Sequence, residues 1–310
     1  MDNRNDGPDR RGLLRCMAWA GTGALWTVSG GLLSSVALDE ASAAPKARSF
    51  SFVQVSDSHI GFMKPANPDA RVTFGEAVSK IRAMVAPPDF ILHTGDISQL
   101  SRDAEFDDAD QIIKQAGLPV FHIPGEHDIL DDGHGKAYLD RYGAGSLGDG
   151  WYSFDHKGVH FVALINVKQL QAGGMGRLGS DQLAWLQQDL AGRAASTPIV
   201  VLAHIPLWTL YAPWGWGTDD GTEALSYLRR FGSVTVLNGH IHQVQQHVEG
   251  NITFHTARST AFPQPAPGAA ASPGPMLVGA DQLRGVLGVR TVTMEPGKGP
   301  LALVDAPLAS

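Results

Sequence analysis

The chain has 310 residues, 43% of them hydrophobic, which is enough to bury a large core in one or two domains. Its 24 basic and 31 acidic residues leave a formal net charge of −7, so no nucleic-acid-binding surface is expected. The single cysteine, Cys16, excludes an internal disulfide and a cysteine-rich zinc site, whereas the 12 histidines remain available for metal binding.

The first 43 residues have the composition of an export signal. Arg10 and Arg11 begin a basic segment, and a mildly apolar stretch follows up to about residue 38. The tripeptide Ala41-Ser42-Ala43 then provides the small-x-small pattern that signal peptidase accepts. We therefore predict a cleaved signal peptide over 1–43, a mature domain over 44–310 with a β-rich C-terminal segment, and a periplasmic or secreted location.

The type of signal follows from the residues around the paired arginines. Arginines ahead of a glycine-diluted apolar core resemble a twin-arginine export signal, so the twin-arginine export machinery is an expected partner. An uncleaved anchor is the alternative, because about twenty apolar residues can span a bilayer. Glycines such as Gly21, Gly23 and Gly30 weaken that alternative, and we expect no permanent membrane anchor.

From residue 50 onward, short apolar strands alternate with amphipathic helices, which indicates an α/β fold. Strands are predicted over 51–55, 90–93, 120–123, 199–203 and 234–237, and helices over 74–85, 104–115, 180–190 and 222–230. A hairpin is predicted around Lys157-Gly158, and further hairpins with a proline-rich loop over 263–275 follow residue 242. No internal repeat or linker is visible, which favours one domain.

Each of the five predicted strands is followed by polar residues of metal-binding type. These sets are Asp57 and His59; Asp96; Glu126, His127 and Asp128; His204; and His240 and His242. In α/β sheets, ligands bind outside the carboxyl ends of strands, where loops from several strands converge. Taken singly, each set is weak, because Asp-x-His is common by chance and an isolated histidine is more often a hydrogen-bonded core residue than a ligand.

In this order, the sets resemble the calcineurin-like metallophosphoesterase family, whose pattern is D-x-H, G-D, G-N-H-D, H and G-H-x-H. The corresponding residues are Asp57-Ser58-His59, Gly95-Asp96, Gly125-Glu126-His127-Asp128, His204 and Gly239-His240-Ile241-His242. The resemblance covers about 185 residues, from the first motif to the last. It implies a four-layer α-β-β-α sandwich, in which two mixed sheets are flanked by helices and the metal site lies at the strand ends.

The resemblance also implies two metal ions. It assigns Asp57, His59 and His242 to the first metal and His204 and His240 to the second, with Asp96 bridging both. Carboxylate and imidazole ligands suit manganese, iron, nickel or zinc. We expect manganese or iron, and zinc would also fit.

The chemistry that the family resemblance implies is hydrolysis of a small phosphoester substrate. A metal-bridging hydroxide attacks phosphorus in line, and the metals stabilise the charge on the phosphoryl oxygens. By the same analogy, His127 lies near the leaving oxygen as a general acid or phosphate contact. Asp128 is expected to orient the imidazole of His127.

The sequence departs from the family pattern at Glu126, where the family has a neutral asparagine. Two divalent cations, Asp57, Asp96 and one hydroxide leave a single positive charge, and a coordinating Glu126 cancels it. A neutral site favours a singly charged phosphodiester over a doubly charged monoester, whereas a ferric ion would restore the positive charge. We therefore predict a phosphodiesterase with manganese or an iron-containing pair, and the alternative has Glu126 turned away from a weak second site.

Substrate contacts are harder to assign from the sequence. Trp208, Tyr211, Trp214 and Trp216 follow His204 in one loop. Trp214 and Trp216 are candidates to stack on a substrate ring, or else they pack the loop against the domain. Arg258 is a candidate phosphate contact, because a guanidinium binds phosphate with two hydrogen bonds.

Three classes of function remain to be compared. The first is the metal-dependent hydrolase, acting as a phosphodiesterase or alternatively as a phosphomonoesterase. The second is a catalytically inactive metal-bound scaffold, and the third is a metal-binding or storage protein. Every position of the ligand pattern is filled, although Glu126 is altered, and this together with the presence of His127 favours the hydrolase.

Overall fold

The computed structural model describes residues 24–29, 32–37, 49–295 and 301–309. Contacts divide the chain into two units, Met1–Ala44 and Pro45–Ser310. In the first unit, strand β1 (Ala24–Ser29) pairs antiparallel with β2 (Leu32–Ala37). Within the described ranges, no helix is both long and apolar enough to cross a membrane. Arg10, Arg11 and the cleavage motif at 41–43 lie outside the described residues.

The second unit contains two mixed β-sheets. The strands are β3 (Phe50–Val55), β4 (Ile91–His93), β5 (Val120–His122), β6 (Tyr152–His156), β7 (Val159–Ala163), β8 (Ile199–Leu202), β9 (Val234–Asn238), β10 (Gln245–Glu249), β11 (Ile252–Thr256), β12 (Gly288–Met294) and β13 (Ala302–Pro307). One sheet has the order β10-β11-β9-β8-β7-β6 and the other β13-β12-β3-β4-β5. The pairs β3–β4, β4–β5, β7–β8, β8–β9 and β9–β11 are parallel, and the remaining pairs of these two sheets are antiparallel.

Helices cover the outer faces of both sheets. They are α1 (Ala70–Arg82), α2 (Asp103–Ile113), α3 (Lys136–Tyr142), α4 (Ser180–Leu190), α5 (Gly221–Leu228) and α6 (Leu283–Val286). Helices α4 and α5 pack on the six-stranded sheet, whereas α1 and α2 pack on the five-stranded sheet. A third apolar cluster lies between the two sheets. The four-layer α-β-β-α sandwich predicted from the sequence is therefore confirmed.

The alternation of side chains along the inner strands explains these layers. In β3, Phe52 joins the cluster between the sheets, whereas Val53 and Val55 face the α1–α2 layer. In β8, Val200 lies between the sheets and Val201 faces α4 and α5. Because successive side chains of a strand point to opposite faces, strands covered on both sides read as continuous apolar runs.

Two features of the fold differ from the sequence prediction. Helix α1 begins at Ala70, four residues before its predicted start, because the Asp69 side chain accepts a hydrogen bond from the backbone N–H of Arg71 and caps the helix. Strand β12, although late in the chain, pairs with β3 in the sheet that carries the first motif. A pairing between residues so distant in sequence leaves no local pattern.

Candidate metal centre

The predicted ligands lie in five loops that follow β3, β4, β5, β8 and β9. Hydrogen bonds join these loops directly: the N–H of Asp57 donates to Gly95 O over 3.0 Å, and the N–H of Gly239 donates to His204 O over 3.1 Å. The N–H of His240 donates to Asp57 Oδ1 over 3.0 Å, which links the loops of the two sheets. The loops therefore meet at one point.

The backbone is left-handed at five of the ligand positions. These are Asp57, His59, Asp96, His240 and His242, with φ values of 52°, 40°, 52°, 66° and 57°. A positive φ is uncommon outside glycine, and such residues cluster at functional sites. The tight turns aim the side chains back across the strand ends.

The glycines of the motifs are required by close packing of the loops. A Cβ at Gly125 would lie 2.1 Å from Asp96 Oδ1, and a Cβ at Gly95 would lie 2.4 Å from the ring of His204. Gly95 also has a φ of 97°, which side-chain-bearing residues rarely adopt. Both positions therefore need glycine to let the ligands approach one another.

One group of ligand atoms comes from Asp57, His59, Asp96 and His242, all of them buried. His242 Nε2 lies 3.3 Å from Asp57 Oδ1, and His59 Nε2 lies 3.4 Å from Asp96 Oδ2. The two imidazole nitrogens are 3.2 Å apart. This set is the one that the family resemblance assigns to the first metal.

A second group comes from Glu126, His204 and His240. Glu126 Oε2 lies 3.0 Å from His204 Nε2, and Glu126 Oε1 lies 2.8 Å from His240 Nδ1. Asp96 Oδ2 is 3.4 Å from His204 Nε2 as well as 3.4 Å from the His59 nitrogen of the first group. The Asp96 carboxylate thus stands between the two groups, and Glu126 faces the site.

The unpaired atoms of the site fit metal ions. Buried polar atoms are normally hydrogen-bonded, yet Asp57 Oδ2, Glu126 Oε2, His204 Nε2 and His240 Nδ1 have no hydrogen-bond partner among the described residues. The short distances around Glu126 thus lack hydrogen-bond geometry. Oxygen and nitrogen donors that converge without bonding one another suit cations such as manganese, iron or zinc.

Hydrogen bonds at the far side of two imidazoles set their tautomers. His204 Nδ1 donates to Thr94 O over 2.7 Å, and His242 Nδ1 donates to Phe262 O over 2.6 Å. Because a carbonyl only accepts, both rings carry their proton on Nδ1 and present Nε2 to the site. Thr94 and Phe262 were not predicted as site residues. Thr94 precedes the Gly95-Asp96 motif, whereas no local pattern marks Phe262.

Charges in the site favour ionised carboxylates. Burial by itself would raise the pKa of Asp57, but His242, His204 and His59 hold that pKa below its usual range. The pKa of Glu126 is also well below its usual value, because His240 and His204 outweigh burial. Burial lowers the pKa of His59 to about 3, which favours the neutral imidazole that binds metals.

The sequence profile of the calcineurin-like phosphoesterase family matches residues 50–244, a range that contains both groups of ligand atoms. The chain belongs to this family. The resemblance predicted from the motifs is therefore confirmed, and the protein is a phosphoester hydrolase. Dimetal sites are a property of the family, and the two groups described above fit one.

Similar proteins agree with this membership. The chain is 28% identical over 233 residues to a probable cyclic nucleotide phosphodiesterase from Synechococcus sp., covering 71% of this chain and 84% of that protein. It is 27% identical over 201 residues to the 3',5'-cyclic adenosine monophosphate phosphodiesterase of Haemophilus influenzae, covering 62% and 69% respectively. A dimetal phosphatase from Danio rerio shares the fold, with a TM-score of 0.60 at 15% identity over 83% of this chain and 98% of that one.

His127 of this phosphoesterase lies beside the ligands, as predicted, but its contacts differ from the prediction. Its backbone N–H donates to Asp96 Oδ1 over 2.9 Å, and its Nδ1 donates to Gln99 O over 2.8 Å. The Nε2 atom is therefore left as the reactive nitrogen. Burial opposes the charged form, but the carboxylates of Asp96 and Glu126 prevail and raise the pKa of His127.

The prediction that Asp128 orients the His127 imidazole is wrong. Asp128 Oδ1 accepts from the N–H and hydroxyl of Ser98, at 2.7 and 2.8 Å, and Oδ2 accepts from the N–H groups of Ile97 and Gly125, each at 3.0 Å. Burial raises the pKa of Asp128 to about 7, against these backbone hydrogen bonds. Asp128 ties the loop after β5 to the loop after β4, and the carbonyl of Gln99 holds the imidazole instead.

The tryptophan loop packs against the domain instead of presenting its rings to a substrate. Trp216 is fully buried, and Trp214 is 9% exposed. Both rings pack on Ile241, the residue between ligands His240 and His242. Of the two alternatives, the structure has the rings packed against the domain: Trp216 has no exposed surface for a substrate, and Trp214 has little. Through this apolar packing the rings support the turn that carries His240 and His242.

Arg258 also has another role than the predicted phosphate contact. Its Nη1 donates to Gly285 O in α6 over 2.6 Å. Among the described residues, no contact joins the guanidinium to the ligand groups. The side chain holds α6 against the end of β11, so the predicted contact with phosphate is not supported by its position.

Proposed function

We propose that this protein hydrolyses small phosphodiesters at a two-metal centre. The observation that carries the proposal is the convergence of the ligand atoms into two groups with the Asp96 carboxylate between them. Asp57, His59 and His242 would hold the first ion, and Glu126, His204 and His240 the second. The bound ions supply Lewis acidity to the phosphoryl oxygens and lower the pKa of a water molecule to near neutrality.

The side chains of the protein then have distinct tasks. Asp96 fixes the spacing of the two groups, and its other oxygen holds the backbone of His127. His127 presents Nε2, so a proton held there can pass to the leaving oxygen of the ester. Burial of Asp57, His59 and Asp96 excludes bulk water from the floor of the site.

Glu126 favours a diester as the substrate. Its carboxylate lies at 3.0 and 2.8 Å from the two histidine nitrogens of the second group, in the position of the neutral asparagine of the family. A charged oxygen there lowers the positive charge of the centre by one unit. A diester carries one negative charge and a monoester two, so the change favours the diester. The phosphodiesterase names of the two relatives support the same choice.

Replacing Glu126 with asparagine is the direct test. Glu126→Asn is expected to restore one positive charge and to shift kcat/KM towards p-nitrophenyl phosphate relative to bis(p-nitrophenyl) phosphate, by about tenfold or more for a differential interaction of about 1.4 kcal/mol. The ratio of the two substrates is the measurement, with Glu223→Gln, in the exposed face of α5, as the control. An unchanged ratio together with unchanged metal content would contradict the charge argument.

We propose manganese or an iron-containing pair as the metals, since carboxylate and imidazole oxygens and nitrogens suit both. Elemental analysis of protein purified from its native compartment identifies them. Two equivalents of zinc alone would contradict the proposal.

We also propose that the protein is exported in folded form by the twin-arginine machinery, because Arg10 and Arg11 precede a glycine-diluted apolar stretch. The double change Arg10→Lys/Arg11→Lys is expected to keep the active protein in the cytoplasm. Cell fractionation and phosphodiesterase assays measure this, with Arg15→Lys as the control. Export of the double variant at the native level would contradict the proposal.

A further inference from the structure

A buried arginine is linked by hydrogen bonds to residues next to the ligand loops, and its strand lies beyond the region matched by the family. Arg290 of β12 is 1% exposed. Its Nε and Nη2 donate to the two carboxylate oxygens of Asp305 in β13, at 2.9 and 3.0 Å. Two further donors reach into the domain: Nη1 to Gln54 Oε1 at 3.3 Å and Nη2 to Thr256 O at 2.9 Å.

The contact with Gln54 leads to the loops of both sheets. Gln54 is fully buried, and because its oxygen accepts from Arg290, its amide nitrogen points the other way. That nitrogen donates to Thr94 Oγ1 over 3.0 Å and to Asn238 O over 3.1 Å. Thr94 follows β4 in one sheet, and Asn238 ends β9 in the other.

Thr94 and Asn238, which accept the hydrogen bonds of Gln54, both lie close in sequence to metal ligands. The carbonyl of Thr94 is the acceptor that orients His204, and Asp96 lies two residues after Thr94. Asn238 lies two residues before His240, so its carbonyl marks the beginning of the ligand turn. Gln54 therefore ties the support of His204 to one end of the His240–His242 turn.

The contact with Thr256 leads to the other end of the same turn. Thr256 is fully buried at the end of β11, and its carbonyl accepts from Arg290. Its hydroxyl donates to Gln243 O over 2.5 Å and accepts from the N–H of Gln245 over 2.8 Å. Gln243 directly follows the ligand His242.

We propose that Arg290, held by Asp305, is a positioning residue for the metal centre. It fixes Gln54 and the Thr256 carbonyl, and through them the orientation of His204 and both ends of the ligand turn. The planar guanidinium has five donors in fixed directions, which one ammonium group cannot reproduce. The inference rests on the proposed two-metal function, and it assigns this support to the C-terminal strands, outside residues 50–244.

The test removes the ion pair without leaving a buried charge. Replacing a buried pair by apolar residues of similar volume is often neutral for stability, so Arg290→Met/Asp305→Leu is expected to fold. Because the buried Gln54 Oε1 and the Thr256 carbonyl also lose this donor, the metal-free variant should unfold several degrees, up to about 10 °C, below the metal-free native protein. Manganese titration of the metal-free protein should show an affinity about tenfold weaker, the lower end of the effect of losing an outer partner of a metal ligand, because the bond between His204 and Thr94 itself remains.

Controls separate positioning from general stability. Arg284→Met/Glu76→Leu removes another ion pair with two hydrogen bonds, at 3.0 and 2.8 Å. Within the described part of the chain this pair does not contact the ligand loops, so the variant should keep native manganese affinity. Arg290→Lys should give an intermediate affinity. In the double variant, kcat should fall more than KM rises, and excess manganese should restore part of it.

Native manganese affinity in Arg290→Met/Asp305→Leu would overturn the proposal. If that variant does not fold, Gln54→Leu is the second test, because this change keeps the ion pair but removes the bonds to Thr94 and Asn238. Native manganese affinity in Gln54→Leu would also overturn the proposal. Metal titration needs no substrate. A native protein that binds two metals but cleaves no diester would refute the proposed function and leave this inference standing.

Discussion

Replacement of Asp96 by asparagine is expected to lower phosphodiesterase activity by more than about 100-fold, and to release at least one of two metal equivalents. The bound of 100-fold comes from outer partners of metal ligands, because removing one of them lowers metal affinity or activity by up to about 100-fold. Loss of a carboxylate that two metals share should lower activity by more. Asp96 is 2% exposed, and its Oδ2 lies 3.4 Å from ligand nitrogens of both groups. Metal content after gel filtration and kcat/KM for bis(p-nitrophenyl) phosphate measure the effect.

Asp110→Asn is the matched control for this change. Asp110 accepts from Lys114 Nζ at 2.8 Å and from the Tyr142 hydroxyl at 2.9 Å, away from the ligand groups. The Asp110→Asn variant should keep both metals and native kcat/KM. Two tightly held metals and native turnover in Asp96→Asn would show that the two groups do not share this carboxylate.

Replacement of His127 by alanine is expected to lower kcat by about 10²- to 10⁴-fold, the usual contribution of a general acid, while both metals stay bound. The loss should be smaller for bis(p-nitrophenyl) phosphate than for a dialkyl ester, because p-nitrophenolate leaves without help from a proton. The difference between the two substrates is the measurement. This difference distinguishes a role of His127 in proton transfer from a role in binding phosphate only.

His247→Ala serves as the control, since His247 is exposed on β10 and stacks on Trp208 away from the ligands. His127 also lies close enough to Asp96 and Glu126 to join a cation. Loss of a metal equivalent in His127→Ala would therefore assign the imidazole to the metal centre and contradict the role as an acid.

The same measurements separate the three classes of function. A catalytically inactive scaffold would bind metals but turn over no diester. A storage protein would keep its metal binding when His127 is changed. Turnover that depends on both Asp96 and His127 is expected only of the hydrolase. We expect this result because the chain belongs to the calcineurin-like phosphoesterase family.

The strands and the ligand positions were predictable because both leave local patterns. Apolar runs that end in Gly-Asp or Gly-His mark strands buried on both faces and the turns that follow them. The motifs around Asp57, Asp96 and His204 thus lie where the sequence predicted. The start of α1 was missed by four residues, since the capping hydrogen bond of Asp69 is a weak signal beside the apolar periodicity.

The predictions that failed concern partners, not positions. Asp128 was expected to hold its neighbour His127, yet its carboxylate bonds the loop after β4, and Gln99 holds the imidazole. Trp216 was a candidate either to stack on a substrate or to pack against the domain, and it is buried against Ile241. A side chain chooses among all groups that the fold brings near, and residues close in sequence are only some of these.

From the sequence alone follow the class of fold, the order of the motifs and the residue types able to bind two metals, because periodicity and turn chemistry are local. Tertiary structure alone decided that Glu126 faces His204 and His240, that Asp96 stands between the groups, and that Arg290 bonds Gln54 and Thr256. The Glu126 contacts depend on the packing of the two sheets, and those of Arg290 depend on the pairing of β12 with β3, which joins residues more than 200 positions apart.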